Sequence, residues 1–232
     1  MAEFHFVEDY ERLVAGLIAK HPIEEAMSLA VGGHYDQIGQ VEGQLLRWAG
    51  LANGMSVVDL GCGSGRLPHA LGKAFAIDYL GVDIVQALLD YAATKSPTNY
   101  RFVLNRSLTL PADDKSADFV TAFSVFTHLL PSESYLYMED ARRVLKPGGK
   151  LVFSFLEVVE PSHWFAFEGE VNSRRAGGSS HLNMMLERPM IKRMAETLGY
   201  SEPTFIGGSD APWGGQSLGQ SVVITSPSSD RP

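Results

Sequence analysis

The sequence predicts an α/β fold built on a mostly parallel sheet, and three observations predict it. The apolar run Val57-Val58-Asp59-Leu60 passes through Gly61-Cys62-Gly63-Ser64-Gly65 directly into a helical pattern. A second run, Ile77 to Val82, ends in an acid, Asp83, and a helical segment again follows. Beyond it, strand-like and helical stretches keep alternating, as βαβ units do.

The chain has 232 residues, of which 45% are hydrophobic and 20% charged, enough for one domain with additions and a real core. A formal net charge of -8 disfavours a large nucleic acid as partner. The doublets Arg142-Arg143 and Arg174-Arg175 are weak support for a local basic patch. Cys62 is the only cysteine, which rules out an intrachain disulfide and a cysteine-based zinc cage and fits a cytoplasmic location. Inside a glycine turn it reads as a small residue filling tight space. No apolar run has transmembrane length, and the start lacks a leader pattern, so a soluble, unprocessed protein is expected.

Taken in order, Tyr10, Leu13, Val14, Leu17 and Ile18 recur at helical spacing until His21-Pro22 interrupts them. A short helix follows from Pro22 through Leu29, Gly32-Gly33 breaks it, and Val41, Leu45 and Trp48 mark a third. The string from Gly32 to Gly39 holds a His, a Tyr and an Asp where a lid could fold over a site, or it is a structural turn; the lid reading sets Tyr35 against a ligand. The strand ending at Leu60 then meets three glycines at alternate positions. Such a turn needs unusual backbone angles and lets a ligand approach the backbone, next to the free N–H groups of a helix start. The dinucleotide fingerprint places its third glycine one residue later and holds a pyrophosphate. Here the spacing is G-x-G-x-G, with Asp59 two residues before the first glycine. A carboxylate there repels a pyrophosphate and attracts an ammonium group.

This string resembles motif I of the class I S-adenosylmethionine-dependent methyltransferases. The resemblance implies that Asp59, Gly61, Cys62, Gly63 and Gly65 hold the methionine end of S-adenosyl-L-methionine. Asp83 matches the acid at the end of the second strand that accepts hydrogen bonds from a ribose diol. Ile84 would then lie beside the adenine. Gln86 to Lys95 reads as a helix and Tyr100 to Leu104 as the third strand. The segment after it departs from the family, placing Asn105 or Arg106 where a Gly-Asp or Asp-Ala pair often lies near the adenine amino group. Asn105, Ser107 and Leu108 are the expected adenine contacts. Asp118 to Ser124 resembles the fourth strand, bringing Ser124 and then His128 to the cofactor. The Asn-Pro-Pro-Tyr type of motif is absent. Ser124 replaces the aspartate of catechol-type enzymes, so no metal site is expected.

Glu133 to Leu145 reads as a helix stopped by Lys146-Pro147-Gly148-Gly149, a turn common in the family, before the strand Lys150 to Phe155. Residues 157–188 look irregular and aromatic, and are read as a substrate lid. His163 and His181 within it are candidate catalytic bases. Pro189 to Leu198 reads as a helix, and 204–206 and 221–225 as the last strands. The loop Asp210 to Gln216 between them is read as a second one able to reach the site. The resemblance covers about residues 56–225. It implies a Rossmann-like, seven-stranded, mostly parallel sheet with a reversed last strand. The chain divides into a helical N-terminal cap (1–50), a core (51–226) and a tail (227–232).

The implied activity is methyl transfer to an oxygen or nitrogen of a small-molecule acceptor, with no nucleic acid or membrane partner. Methylation of a protein, tRNA or lipid-linked sugar, and a non-catalytic cofactor-binding scaffold, stay open as alternatives. A nicotinamide oxidoreductase is disfavoured by the glycine spacing and Asp59.

Overall fold

A computed structural model describes residues 7–177 and 183–228. Three helices come first: α1 (Val7–Lys20), α2 (Ile23–Ala30) and α3 (Tyr35–Trp48). Then β1 (Ser56–Leu60), α4 (Arg66–Ala74), β2 (Asp78–Asp83), α5 (Gln86–Lys95) and β3 (Arg101–Leu104) alternate. A loop leads to β4 (Ala117–Ala122), followed by α6 (Pro131–Val144) and β5 (Leu145–Phe155). The chain closes with α7 (Pro161–Arg175), α8 (Arg188–Leu198), β6 (Thr204–Ile206) and β7 (Ser221–Thr225).

The sheet has seven strands in the order β3-β2-β1-β4-β5-β7-β6. β1 to β5 pair in parallel, whereas β7 runs antiparallel to both β5 and β6. This is the expected Rossmann-like sheet with its reversed last strand. The strand order reverses between β1 and β4, and at such a switch point the loops leaving the two carboxyl ends diverge into a crevice. Asp59 pairs in register with Gly81 on one side and Thr121 on the other, so the acid of β1 stands at the middle of that edge.

Alternation along the strands builds a core on each face. Val58, Leu60, Val120 and Phe153 bury with Met138 of α6 and Ile191 of α8. Val57, Tyr79, Phe119 and Val152 bury on the other face with Leu45 and Leu46 of α3 and Leu67 and Leu71 of α4. A third cluster, with Val14, Met27, Val85 and Leu88, fastens the N-terminal helices to α5. α3 lies so close to α4 that a Cβ on Gly39 would collide with the Arg66 carbonyl.

Four expectations are corrected. Only Gly32, Gly33 and His34 form the irregular part of the 32–39 string. From Tyr35 the chain is already helical, because Tyr35, Ile38 and Val41 continue the repeat of Val41, Leu45 and Trp48. The 157–188 insertion contains a fifteen-residue helix, α7, which Pro161 opens at a position where a missing N–H costs nothing. The 210–216 loop packs its Trp213 edge-to-face on Trp48 of α3 and lies away from the crevice. The Pro-Gly-Gly turn falls inside β5, as a shift in the β4–β5 register.

Candidate active site

A cavity of about 1470 Å³ opens at the switch point, walled by α1, the glycine turn, the ends of β2 and β4, and α7. The turn is formed by left-handed backbone at Gly61 (φ 69°), Gly63 (φ 55°) and Gly65 (φ 90°), angles that side chains other than glycine rarely adopt. The Gly61 and Cys62 N–H groups both donate to the Val82 carbonyl, which folds the turn back against β2.

Asp59 is buried at the cavity floor. Its Oδ1 accepts from Thr121 Oγ1 at 2.8 Å and its Oδ2 from Tyr79 Oη at 2.5 Å. Burial drives its carboxyl up to about 7, although both hydroxyl donors oppose the rise. Asp83 accepts from the Gly63 N–H at 2.9 Å and the Val85 N–H at 3.0 Å. It therefore ties the glycine turn to the start of α5. Burial raises its carboxyl to about 6, against those backbone donors. Two acids thus flank one glycine turn and open onto one cavity.

Ser124, just past β4, adopts a left-handed φ of 57°. Its N–H donates to Ser154 Oγ at 2.7 Å and its hydroxyl to Gln220 Oε1 at 3.3 Å. Such a conformation costs on the order of 1 kcal/mol and persists only where neighbours impose it. Arg66 lies beside Ser124. Its Nε and Nη2 reach Glu42 Oε1 at 2.9 and 2.7 Å, and its Nη1 donates to the Val31 carbonyl at 2.7 Å. Glu42 is almost fully buried, and burial raises its carboxyl even though the Arg66 charge lowers it.

Residues 58–153 match the profile of a methyltransferase domain. Over that span the chain is similar to methyltransferase domains, and it carries the match on its Rossmann-like sheet. It is 33% identical over 104 residues to a ubiquinone biosynthesis O-methyltransferase of Coxiella burnetii, covering 44% of this chain and 43% of that protein. It is 31% identical over 124 residues to a demethylmenaquinone methyltransferase of Staphylococcus aureus, covering 51% and 49%. The matches thus span less than half the length of these curated relatives. Among solved structures, the fold resembles magnesium protoporphyrin IX methyltransferase from Synechocystis with bound S-adenosylhomocysteine. There the TM-score is 0.63 and the identity 16%, with 97% of each chain covered. It also resembles phosphoethanolamine N-methyltransferase 2 of Haemonchus contortus in complex with S-adenosyl-L-methionine. The TM-score is 0.64 at 16% identity, over 88% of this chain and 45% of that one.

Of the residues expected to hold the cofactor, Asp59, Gly61, Cys62, Gly63, Asp83, Ile84, Asn105, Ser124 and His128 line the cavity. Gly65 stands behind it, where a Cβ would meet Ala92 of α5. Tyr35 does not line it. Its hydroxyl donates to the Ser64 carbonyl at 3.0 Å and its ring leans on Tyr91, so it braces the turn from outside. Ser107 and Leu108 also fall away from the cavity. Ser107 Oγ donates to Asn105 Oδ1 at 2.6 Å, and Leu108 packs on the core beneath α6. The Asn105 side chain is itself held inside this loop by Ser107 and Thr109.

His163 is corrected as a base. It is buried away from the cavity, takes the Glu157 N–H on Nδ1 at 3.1 Å and reaches the Gly219 carbonyl with Nε2 at 3.0 Å. Both ring nitrogens are thereby committed to backbone. Neighbouring Glu157 accepts two Arg188 bonds of 2.7 Å and a 2.5 Å bond from Ser221. Burial raises its carboxyl, but these partners prevail and hold it below the usual range. His181 lies outside the described residues.

Reading the sequence missed the α1 wall (Tyr10, Leu13, Gly16 and Leu17), the Glu42–Arg66 pair and Gln220. Arg66 was the one visible signal, a charge immediately after a glycine turn. Among the described residues, no group of His, Cys, Asp and Glu could hold a metal ion, and no helix is long and apolar enough to cross a membrane.

Proposed function

We propose that the protein transfers the methyl group of S-adenosyl-L-methionine to an oxygen or nitrogen nucleophile of a small, largely apolar acceptor. The observation that carries this reading is the pair of buried acids, Asp59 and Asp83, flanking one glycine turn and opening on one cavity. The residues fit the cofactor. Asp83 keeps lone pairs beyond its two backbone donors for a ribose diol. Asp59 offers charge to an ammonium group, the glycine turn gives close backbone approach, and Ile84 supplies an apolar face for a base.

The bound cofactor supplies a sulfonium methyl already activated for displacement. The chain's own residues then have to orient the acceptor in line and exclude water, which is where most of the rate is gained. Leu13 and Leu17 of α1, Leu29, Ile38 and Leu218 give the cavity apolar walls suited to that task. The quinone-biosynthetic names of the two curated relatives and the porphyrin named for one structural neighbour support a bulky ring acceptor.

Calorimetric titration with S-adenosyl-L-methionine, S-adenosylhomocysteine and NAD tests the cofactor half. Binding of the first two without NAD is expected, and binding of NAD alone would overturn the reading. A methyl-transfer screen against hydroquinones, phenols and amines, read by release of S-adenosylhomocysteine, tests the acceptor half.

A further inference from the structure

Arg66, Ser124, Ser154 and Gln220 form one hydrogen-bonded relay at the crevice. Arg66 Nη2 donates to Ser124 Oγ at 3.4 Å, and the Ser124 hydroxyl donates to Gln220 Oε1 at 3.3 Å. The Ser124 N–H donates to Ser154 Oγ at 2.7 Å, and the Ser154 hydroxyl also ends on Gln220 Oε1, at 2.6 Å. Each hydroxyl thus accepts an N–H and hands its own proton to the same amide oxygen, an arrangement whose members polarise one another. Ser124 holds its left-handed φ of 57° at the centre of this relay, and strain of that kind gathers at functional sites.

The relay decides which way the Gln220 amide faces. The reverse orientation would aim its N–H groups at two hydroxyl oxygens that already accept, and would strand both hydroxyl protons. For Ser154, which is fully buried, that loss is costly. Oε1 therefore belongs to the serines and Nε2 is the open end of the side chain. Gln220 lines the cavity, and among the described residues no acceptor takes either Nε2 proton. The sheet sets this donor apart from the two acids. Asp59 and Asp83 lie near the ends of β1 and β2, on one side of the switch point. Ser124 follows β4, Ser154 lies in β5 and Gln220 directly precedes β7, on the other side. The first half of the crevice suits the cofactor, which leaves the second for the other reactant.

We propose that Gln220 is an acceptor-binding residue, whose Nε2 protons donate to an oxygen atom of the molecule being methylated and so select oxygen-bearing acceptors over amines. The inference rests on the methyl-transfer reading above and narrows its acceptor class. An amide N–H donates well to a hydroxyl, phenolate or carbonyl oxygen. It finds a poor partner in an aryl amine, whose lone pair is drawn into the ring, and none in an ammonium group. Ser124 and Ser154 act through Gln220 as positioning residues, because their hydroxyls hold its amide in the donating orientation.

The test uses the full chain with S-adenosylhomocysteine bound, and two probes that differ at one heavy atom, 1-naphthol and 1-naphthylamine, titrated by calorimetry. The wild-type protein binds the naphthol about five- to tenfold more tightly than the amine, the worth of one hydrogen bond. Gln220→Glu keeps an acceptor for both serine hydroxyls and replaces only the donor, so a merely structural role would leave that ratio unchanged. The expected result is a ratio that falls to within about twofold or reverses. Gln220→Leu removes the donor without adding a charge and brings the same fall. S-adenosylhomocysteine affinity stays within about threefold in both variants, since Gln220 stands across the switch point from the acids. Failure of the wild type to bind the naphthol, equal binding of the two probes, a preference that survives in either variant, or a larger fall in S-adenosylhomocysteine affinity would each overturn the proposal. Failure of the wild type to bind S-adenosylhomocysteine would instead bring down the methyl-transfer reading, and this inference with it.

Discussion

Asp83 illustrates how one side chain can carry both a fold and a site. Its carboxylate holds the Gly63 and Val85 N–H groups, so it fixes the glycine turn against α5 while still opening on the cavity. Asp83→Ala should therefore weaken S-adenosylhomocysteine binding by about 10- to 100-fold, the worth of hydrogen bonds to a charged acceptor. Calorimetry checks it, and an unchanged affinity would remove Asp83 from the site. Asp59 makes a different prediction, because burial sets its carboxyl near 7. Only the ionised form attracts an ammonium group. Affinity for S-adenosylhomocysteine should thus rise as the pH climbs through about 7, and Asp59→Asn should lose that rise together with much of the affinity. A pH series of titrations on both proteins decides it. A rise that persists in Asp59→Asn would belong to another group.

At the scale of elements, the buried cluster around Glu157 anchors α7 to the sheet. Arg188 comes from α8, Ser221 from β7 and His163 from α7, and all three converge on residue 157 just past β5. Replacing Arg188 by Met leaves a buried carboxylate without its cation, which should cost about 3 kcal/mol of stability, measurable by urea denaturation. His163→Ala should likewise lower stability, by about 1–3 kcal/mol, since it strands the Glu157 N–H and the Gly219 carbonyl. Any S-adenosylhomocysteine still bound by the folded fraction should keep its affinity, because His163 does not line the cavity. This cluster also shows where a sequence stops being legible. The strands, the glycine turn and both acids were readable because periodicity and strand-end position are local properties. His163 looked like a base because it sits in a long insertion, and nothing local reveals that Gly219, fifty-six residues away, occupies its ring nitrogen. The α7 helix escaped notice for a related reason: its apolar residues Trp164, Phe165 and Phe167 are largely exposed and trace no single buried stripe. Glu42 and Arg66 meet only because Gly39 lets α3 lie directly on α4, a contact between elements and not a pattern within one.

For the whole molecule, two carboxyls whose ionised forms are disfavoured by burial tie stability to pH in an uncommon direction. Asp59 titrates near 7 and Asp83 near 6 in the folded protein, against an ordinary value of 3.8 for each. Between about pH 4 and 7 the folded chain therefore holds protons that the unfolded chain has released. Stability contributed by the neutral carboxyls is present below about pH 4 and is lost as the pH rises through 6 and 7. The ligand-free protein should accordingly be more stable near pH 5 than near pH 7.5, by on the order of a few kcal/mol at most, and melt at a higher temperature there. Asp59→Asn should flatten that slope. A ligand that places an ammonium beside Asp59 and hydroxyls beside Asp83 reverses the disadvantage where it is greatest. S-adenosylhomocysteine at one fixed concentration, about a hundred times its Kd at pH 7.5, should contribute near 2.7 kcal/mol there and lift Tm by roughly 5–10 °C. The lift should be larger near pH 7.5 than near pH 5. Thermal denaturation at the two pH values, with and without ligand, reads all four quantities. An equal lift at both would mean that the acids do not meet the ligand as charges, and the site would have to be rebuilt around the backbone of the glycine turn alone.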